Sequence, residues 1–239
     1  MPRRKVTETG LQKLSTNEPA LLFDLDGTLI DSVYQHISAW GEVFRENRIY
    51  VPLWKIHRRI GMSGQLFVPM LLREIGHKPT KNIIEKLERR HKTSFERSLD
   101  GITTLPGADA LLQELNRRKI RWAIASSGGR GQVQKLIGKL RRTYSAPIVT
   151  GDDVKSAKPA PDIFLAAAEK LGLPLSECIV VGDSPWDLLA ARRAKSLGVG
   201  LLCGGYAKEE LESAGAHRIY ESPLAFLENL ADIGIYPEL

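Results

Sequence analysis

The sequence predicts an α/β protein, a doubly wound parallel sheet carrying an inserted block of helices. Three observations lead there. From Gly101 onward, short apolar runs alternate with helical patterns, the rhythm of strand–helix–strand units. Between about 33 and 100, apolar residues recur only at helical spacing and no convincing strand interrupts them. The polar clusters suited to chemistry each follow a predicted strand, and sites in such sheets form at the carboxyl ends of strands.

The elements follow in order. Residues 1–18 are polar and aperiodic, and are read as a flexible tail. Ala20–Phe23 is the first strand, ended by Asp24-Leu25-Asp26-Gly27-Thr28. Ser32-Val33-Tyr34-Gln35 has the pattern of a capping box, and Val33, Ile37, Trp40, Val43 and Phe44 continue as a helical face. Helical segments at 53–60, 64–75 and 80–98 are separated by Gly61, Gly76 and Pro79. Then come helix 107–119, strand 120–125, a helix to about Leu140, a short strand 147–149, and a helix to Leu171 with Pro161 in its first turn. Strand 178–181, helix 185–196, strand 199–202 and a last pair (218–220, 224–230) complete the series. The domain reading is 19–32 with 101–239 as the sheet core, and 33–100 as the helical insert.

Composition bounds the rest. At 239 residues, 43% hydrophobic and 26% charged, the chain suits one large domain or a core plus a smaller lobe. No apolar run approaches a membrane span or a signal peptide, and Cys178 and Cys203 read as buried free thiols, so a cytoplasmic protein is expected. The net charge of +6 is uneven: residues 113–143 carry nine Lys and Arg against Glu114 alone. Trp122, in a predicted strand, is the one aromatic residue among them, so a solvated face is expected and nucleic acid is not.

Asp24 and Asp26 are two apart on an extended chain, so both carboxylates can serve one site while Leu25 faces away. Paired carboxylates repel, which favours a bound cation or a shared proton, the set-up for a nucleophile beside a general acid–base group. Phe23-Asp24-Leu25-Asp26-Gly27-Thr28-Leu29 resembles the first motif of the haloacid dehalogenase (HAD) superfamily. Ser126, at a strand end before Ser127-Gly128-Gly129, resembles the second. Lys158 in Lys158-Pro159-Ala160-Pro161 resembles the third, and Gly182-Asp183-Ser184-Pro185-Trp186-Asp187 the fourth. Four motifs in order, each near a strand end, cover about 20–235, and the helical insert matches the cap of the C1 subclass.

The resemblance implies a HAD-type Rossmann-like core and Mg²⁺ chemistry. Asp24 is implied as nucleophile and Asp26 as acid–base, with Ser126 and Lys158 holding the phosphoryl group. Gly27, Thr28, Ser127 and Gly128 are implied around the phosphate. Metal ligands are implied from Asp24, the Asp26 carbonyl and Asp183. Asp187 stays open between metal support and capping its helix with Ser184. Asp26 argues against dehalogenase and phosphonatase activity, which lack it. His36 and Trp40 resemble the β-phosphoglucomutase helix, whereas Thr28, Gly182 and the Ser127-Gly128-Gly129 loop depart from that mutase. A phosphatase for a small phosphorylated metabolite is expected, with the mutase and a catalytically silent binding protein as alternatives. Its substrate selection is expected in the cap, at His36, Arg59, Gly61, Met62 and Ser63, where arginine suits a second anionic group. Phosphoglycolate and a sugar phosphate both stay open, as do monomer and homodimer.

Overall fold

The structure is a computed structural model and describes residues 18–141, 145–156 and 158–236. The tail at 1–17, Arg142 of the basic segment and Ala157 lie outside the described residues. The strands are β1 (Ala20–Phe23), β2 (Ile30–Asp31), β3 (Thr103–Thr104), β4 (Trp122–Ser126), β5 (Ile148–Thr150), β6 (Cys178–Gly182), β7 (Leu197–Leu201) and β8 (Arg218–Tyr220). Six of them form one parallel sheet in the order β5-β4-β1-β6-β7-β8. The chain passes from β1 to one side, then returns to pair β6 on the other. The switch point therefore lies at β1, flanked by the ends of β4 and β6.

Period-two alternation sorts the strand side chains onto two faces. Leu21, Phe23, Trp122, Ile124, Ile179 and Val181 pack with α5 (Ala108–Arg117), α6 (Arg130–Ile137) and α10 (Pro223–Glu228). Ala20, Leu22, Ala123, Ala125 and Val180 face α7 (Asp162–Lys170) and α8 (Pro185–Arg193). α9 (Lys208–Ala214) adds a small cluster through Leu211 and Ala214 against Leu188 and Tyr206. Near-continuous apolar strands are what a sheet covered on both faces requires.

Between β2 and β3 stand α1 (Val33–Glu46), α2 (Leu53–His57), α3 (Gly64–Glu74) and α4 (Lys81–Glu96). They share their own apolar cluster, including Trp40, Phe44, Ile56, Phe67, Leu71 and Leu87. The antiparallel β2–β3 ribbon joins the outgoing and returning chain, and Leu105 N–H donates to the Leu29 carbonyl at 3.0 Å. Two residues per strand carry no readable alternation, so this ribbon had no signature in the sequence.

Three local expectations change. Ser32 precedes α1 but makes no capping bond; its hydroxyl turns to Asp26 instead. Pro161 stands one residue before α7 rather than within its first turn. Cys203 is only partly buried and lies in a 3-10 turn after β7, not in the strand, while Cys178 is buried; both thiols are free. Among the described residues no helix is long and apolar enough to cross a membrane.

Candidate active site

The site is assembled where β1, β4 and β6 end. Asp24 N–H still donates to the Val181 carbonyl at 2.9 Å, so its position is fixed by the sheet. The chain then turns tightly: N–H groups of Thr28, Leu29 and Ile30 all point at the Leu25 carbonyl, and Gly27 adopts φ +78°. A side chain at Gly27 or at Gly204 would run into the Asp183 carboxylate. Backbone thus closes around Asp183 from two sides.

Asp24, Asp183 and Asp187 are buried, and one carboxylate oxygen of each lies within 4.8 Å of the others. Lys158, wholly buried, donates to Asp24 Oδ1 and sits 2.7 Å from Asp187 Oδ1. Thr28 Oγ1 donates to Asp183 Oδ1 at 3.0 Å. Asp187 Oδ2 accepts from Ser184 N–H at 3.1 Å and Ser184 Oγ at 2.6 Å, capping α8. Asp187 is therefore a helix cap, and it also anchors Lys158, a pairing 29 residues apart in sequence that no motif announces.

Electrostatics follow from burial. Burial first, then Asp187 and Asp26, push the Asp24 carboxyl up to about 7 despite Lys158. Burial, Asp187 and Asp24 hold Asp183 well above the ordinary carboxylate range. For Lys158, burial works against the charge, but Asp187 and Asp24 outweigh it and raise its proton affinity. Three carboxylates against one ammonium leave two negative charges in excess. An all-oxygen donor set with that excess fits a hard divalent cation.

Asp26 turns the other way, toward two hydroxyls and the His36 ring. Its Oδ1 accepts from Ser32 Oγ at 2.5 Å and lies 3.2 Å from His36 Nε2; its Oδ2 accepts from Ser126 Oγ at 3.4 Å. Burial acts to raise Asp26, yet His36, Ser32 and Lys158 together hold it below its ordinary value. His36 Nδ1 is 3.2 Å from His91 Nε2, and the His36 ring stacks on Phe95. Burial, then His36, pushes His91 well below the usual imidazole range, so His91 stays neutral near pH 7. Gln132 Nε2 stands 3.2 Å from His36 Nε2.

A cavity of about 190 Å³ lies between the sheet ends and the helical block. Asp24, Asp26, Lys158, Ser127, Gly128, His36, Arg59, Gly61 and Met62 all line it. Ser126 sits just behind, its Oγ accepting from Gly128 N–H at 3.1 Å, and Thr28 is buried against Asp183 instead of facing the cavity. Ser63 lines an adjoining cavity, and its N–H donates to the Lys158 carbonyl at 3.2 Å. The terminal nitrogens of both arginines have partners. Arg59 binds Glu74 and the Lys55 carbonyl, leaving its buried Nε without one, and Arg58 binds Glu210 at 2.7 Å. Of the basic segment, Arg117, Arg118, Arg130 and Lys135 are ion-paired with Glu114, Asp153 or Glu96. A side chain at Gly182 would strike Asp187, so the end of β6 is held to glycine there.

Sequence reasoning missed Ser32 as a partner of Asp26, and it missed His91, Gln132, Glu88 and Gly204. The Gly204-Gly205 pair after β7 was the one local signal available.

Comparison with known proteins agrees with this geometry. Residues 19–195 match the family described as haloacid dehalogenase-like hydrolase. Hexitol phosphatase A of Escherichia coli (strain K12) is 36% identical over 177 residues, 72% of this chain and 78% of that protein. Fructose-1-phosphate phosphatase YqaB of the same organism is 30% identical over 179 residues, 73% of this chain and 91% of that protein. The crystal structure of a hydrolase from Pseudomonas syringae has a TM-score of 0.88 at 48% identity, covering 90% of this chain and 99% of that chain. The chain belongs to the haloacid dehalogenase-like hydrolases. It is an enzyme, and its class is that of the phosphoric monoester hydrolases.

Proposed function

We propose that the protein is a Mg²⁺-dependent phosphatase for a small phosphorylated metabolite of sugar-phosphate type, working through an aspartyl-phosphate under a helical cap (33–100). The observation that carries this reading is one cavity faced by two unlike aspartates, Asp24 with buried Lys158 and Asp26 among hydroxyls and the His36 ring. Asp24 attacks phosphorus as the bond from phosphorus to the leaving oxygen breaks, and Asp26 gives that oxygen its proton. Asp26, now ionised, takes a proton from water as the water oxygen attacks the acyl phosphate. The bond from phosphorus to Asp24 then breaks, and inorganic phosphate leaves.

Lys158 offsets negative charge beside the nucleophile, and Ser126, Ser127 and the Gly128 backbone hold phosphoryl oxygens. Asp24, Asp183 and the Asp26 carbonyl would hold the cation, with Asp187 fixing Lys158 and Thr28 fixing Asp183. Bound there, Mg²⁺ screens the carboxylates from the phosphate oxygens and polarises the phosphoryl group.

The named activities of the two Escherichia coli relatives support a sugar or polyol phosphate as substrate class. The test is phosphate release from a panel of phosphomonoesters with Mg²⁺ and with EDTA, for wild type and Asp24→Asn. Metal-dependent release that disappears in the variant is expected. Release that persists in Asp24→Asn removes the covalent mechanism, and conversion of β-glucose 1-phosphate to glucose 6-phosphate without release makes the mutase the better reading.

A further inference from the structure

Beyond the reacting groups the cavity has a mixed lining. Trp40 and Phe67 offer apolar rings, Glu88 and His91 of α4 and Gln132 of α6 offer polar groups, and His91 stacks on Trp40. Glu88 stands where this cavity meets the adjoining one of about 380 Å³, and it lines both. Its carboxylate is half-buried and has no hydrogen-bond or ion-pair partner among the described residues. Gly64 faces it from α3; a Cβ there would come within 3.2 Å of Glu88 Oε1, so the glycine keeps space open for the carboxylate. Burial and Glu85 raise its proton affinity, the mark of a polar group short of donors.

Arg59, which lines the first cavity only, binds Glu74 and the Lys55 carbonyl, and its buried Nε has no partner. Lys92, Arg130 and Lys155 line only the adjoining cavity, with Asp152 among them and Arg130 bound to Asp153. Among the residues that line both cavities, Glu88 is the one carboxylate and none is a lysine or arginine, so the part of a substrate lying between them meets negative charge. Hydroxyl groups would satisfy that carboxylate; a second anion would be repelled by it.

We propose that Glu88 is the specificity-determining residue of the leaving-group site. It accepts hydrogen bonds from the hydroxyls of a neutral, polyhydroxylated leaving group and turns away monoesters whose far end carries a carboxylate or second phosphate. The proposal rests on the phosphatase reading and separates the two substrate types that the sequence left open. Hydroxyls set against Glu88, with the carbon chain along Trp40 and Phe67, match that mixed lining.

The test is steady-state hydrolysis of sorbitol 6-phosphate, phosphoglycolate and p-nitrophenyl phosphate by wild type, Glu88→Ala and Glu88→Gln, each checked for a cooperative thermal transition. Wild type should prefer sorbitol 6-phosphate to phosphoglycolate. In Glu88→Ala the ratio of their kcat/KM values should fall at least about tenfold, through a higher KM for the polyol ester and a lower one for phosphoglycolate. Glu88→Gln keeps an acceptor but loses the charge, so it should admit phosphoglycolate while losing less on the polyol ester; it carries the test if the alanine variant does not fold. A ratio within about twofold of wild type in both variants, or a wild type that prefers phosphoglycolate, overturns the role of Glu88. A wild type that hydrolyses none of the three, p-nitrophenyl phosphate included, overturns the phosphatase reading instead.

Discussion

Replacing Asp187 tests how the buried charges are held. Its carboxylate has two duties: it caps α8 through Ser184 and stands 2.7 Å from the ammonium of Lys158. Asp187→Asn keeps the volume and an oxygen for Ser184 but removes the charge. Removing one partner of a buried ion pair costs about 3–5 kcal/mol. Lys158 keeps Asp24, however, and the loss of Asp187 relieves repulsion that now burdens Asp24 and Asp183. A net loss of about 2–3 kcal/mol follows for Asp187→Asn. Asp187→Ala should lose about 1 kcal/mol more, the contribution of a side-chain cap. Urea unfolding in EDTA measures both, with an unchanged m-value showing that stability alone has moved. A double-mutant cycle with Lys158→Met should show coupling of about 1 kcal/mol or more. If Asp187→Asn lies within about 0.5 kcal/mol of wild type in EDTA, and loses stability only relative to the Mg²⁺-loaded protein, the anchoring argument fails and Asp187 is chiefly a metal group.

Three further outcomes are expected. Because Asp24 is raised from 3.8 to about 7, its contribution to stability is full below about pH 4 and is lost as pH rises through about 7. Thermal melts of the metal-free protein should therefore fall between about pH 4 and pH 7, and the Mg²⁺-induced rise in Tm should grow over that window; a rise independent of pH would contradict it. Gly204→Ala puts a methyl group onto the Asp183 carboxylate, so Mg²⁺ should no longer raise Tm and kcat should drop by about 100-fold or more. His36→Asn removes a partner that lowers Asp26, so the alkaline limb of the pH–rate profile, which reports loss of the Asp26 proton, should move to higher pH; an unmoved limb would show that Asp26 is tuned elsewhere.

The parts of this protein legible in the sequence are those set by local rules. Buried strands read as apolar runs, and in a switch-point sheet their ends must converge, so Asp24, Ser126 and Asp183 could be placed together before any coordinates. Lys158 was legible through its prolines. What stayed hidden depends on distant chain. Ser32 satisfied a capping pattern, but the tight turn at Gly27 brought Asp26 to its hydroxyl, which turned to donate to that carboxylate instead of accepting from the helix N–H groups. Glu88 and His91 lie on a helix whose period shows an inner face but not what that face meets across 55 residues of chain. The basic segment looked like a patch because its counter-charges, Glu96 and Asp153, come from outside it.

Two aspartates two residues apart have been given opposite surroundings, and the order of their proton affinities bears on the mechanism. Asp24 is raised by burial among carboxylates; Asp26 is lowered by His36, Ser32 and Lys158 against the effect of burial. With nothing bound, a proton therefore prefers the nucleophile to the acid, the reverse of what the proposed first step needs. Both terms can be inverted by the ligands the site is built for. Positive charge beside Asp24 and Asp183 cancels the excess of two negative charges and lowers Asp24, while a phosphoryl dianion arriving beside Asp26 raises it. The neutral donors around Asp26 suit that change, because hydroxyls of Ser32 and Ser126 can rotate from donating to accepting when Asp26 takes up a proton. Lysines or arginines in their place would have fixed Asp26 as a carboxylate. The sheet end that carries fixed charges holds Asp24, the proposed nucleophile, and the side lined by reorientable groups holds Asp26, the proposed acid.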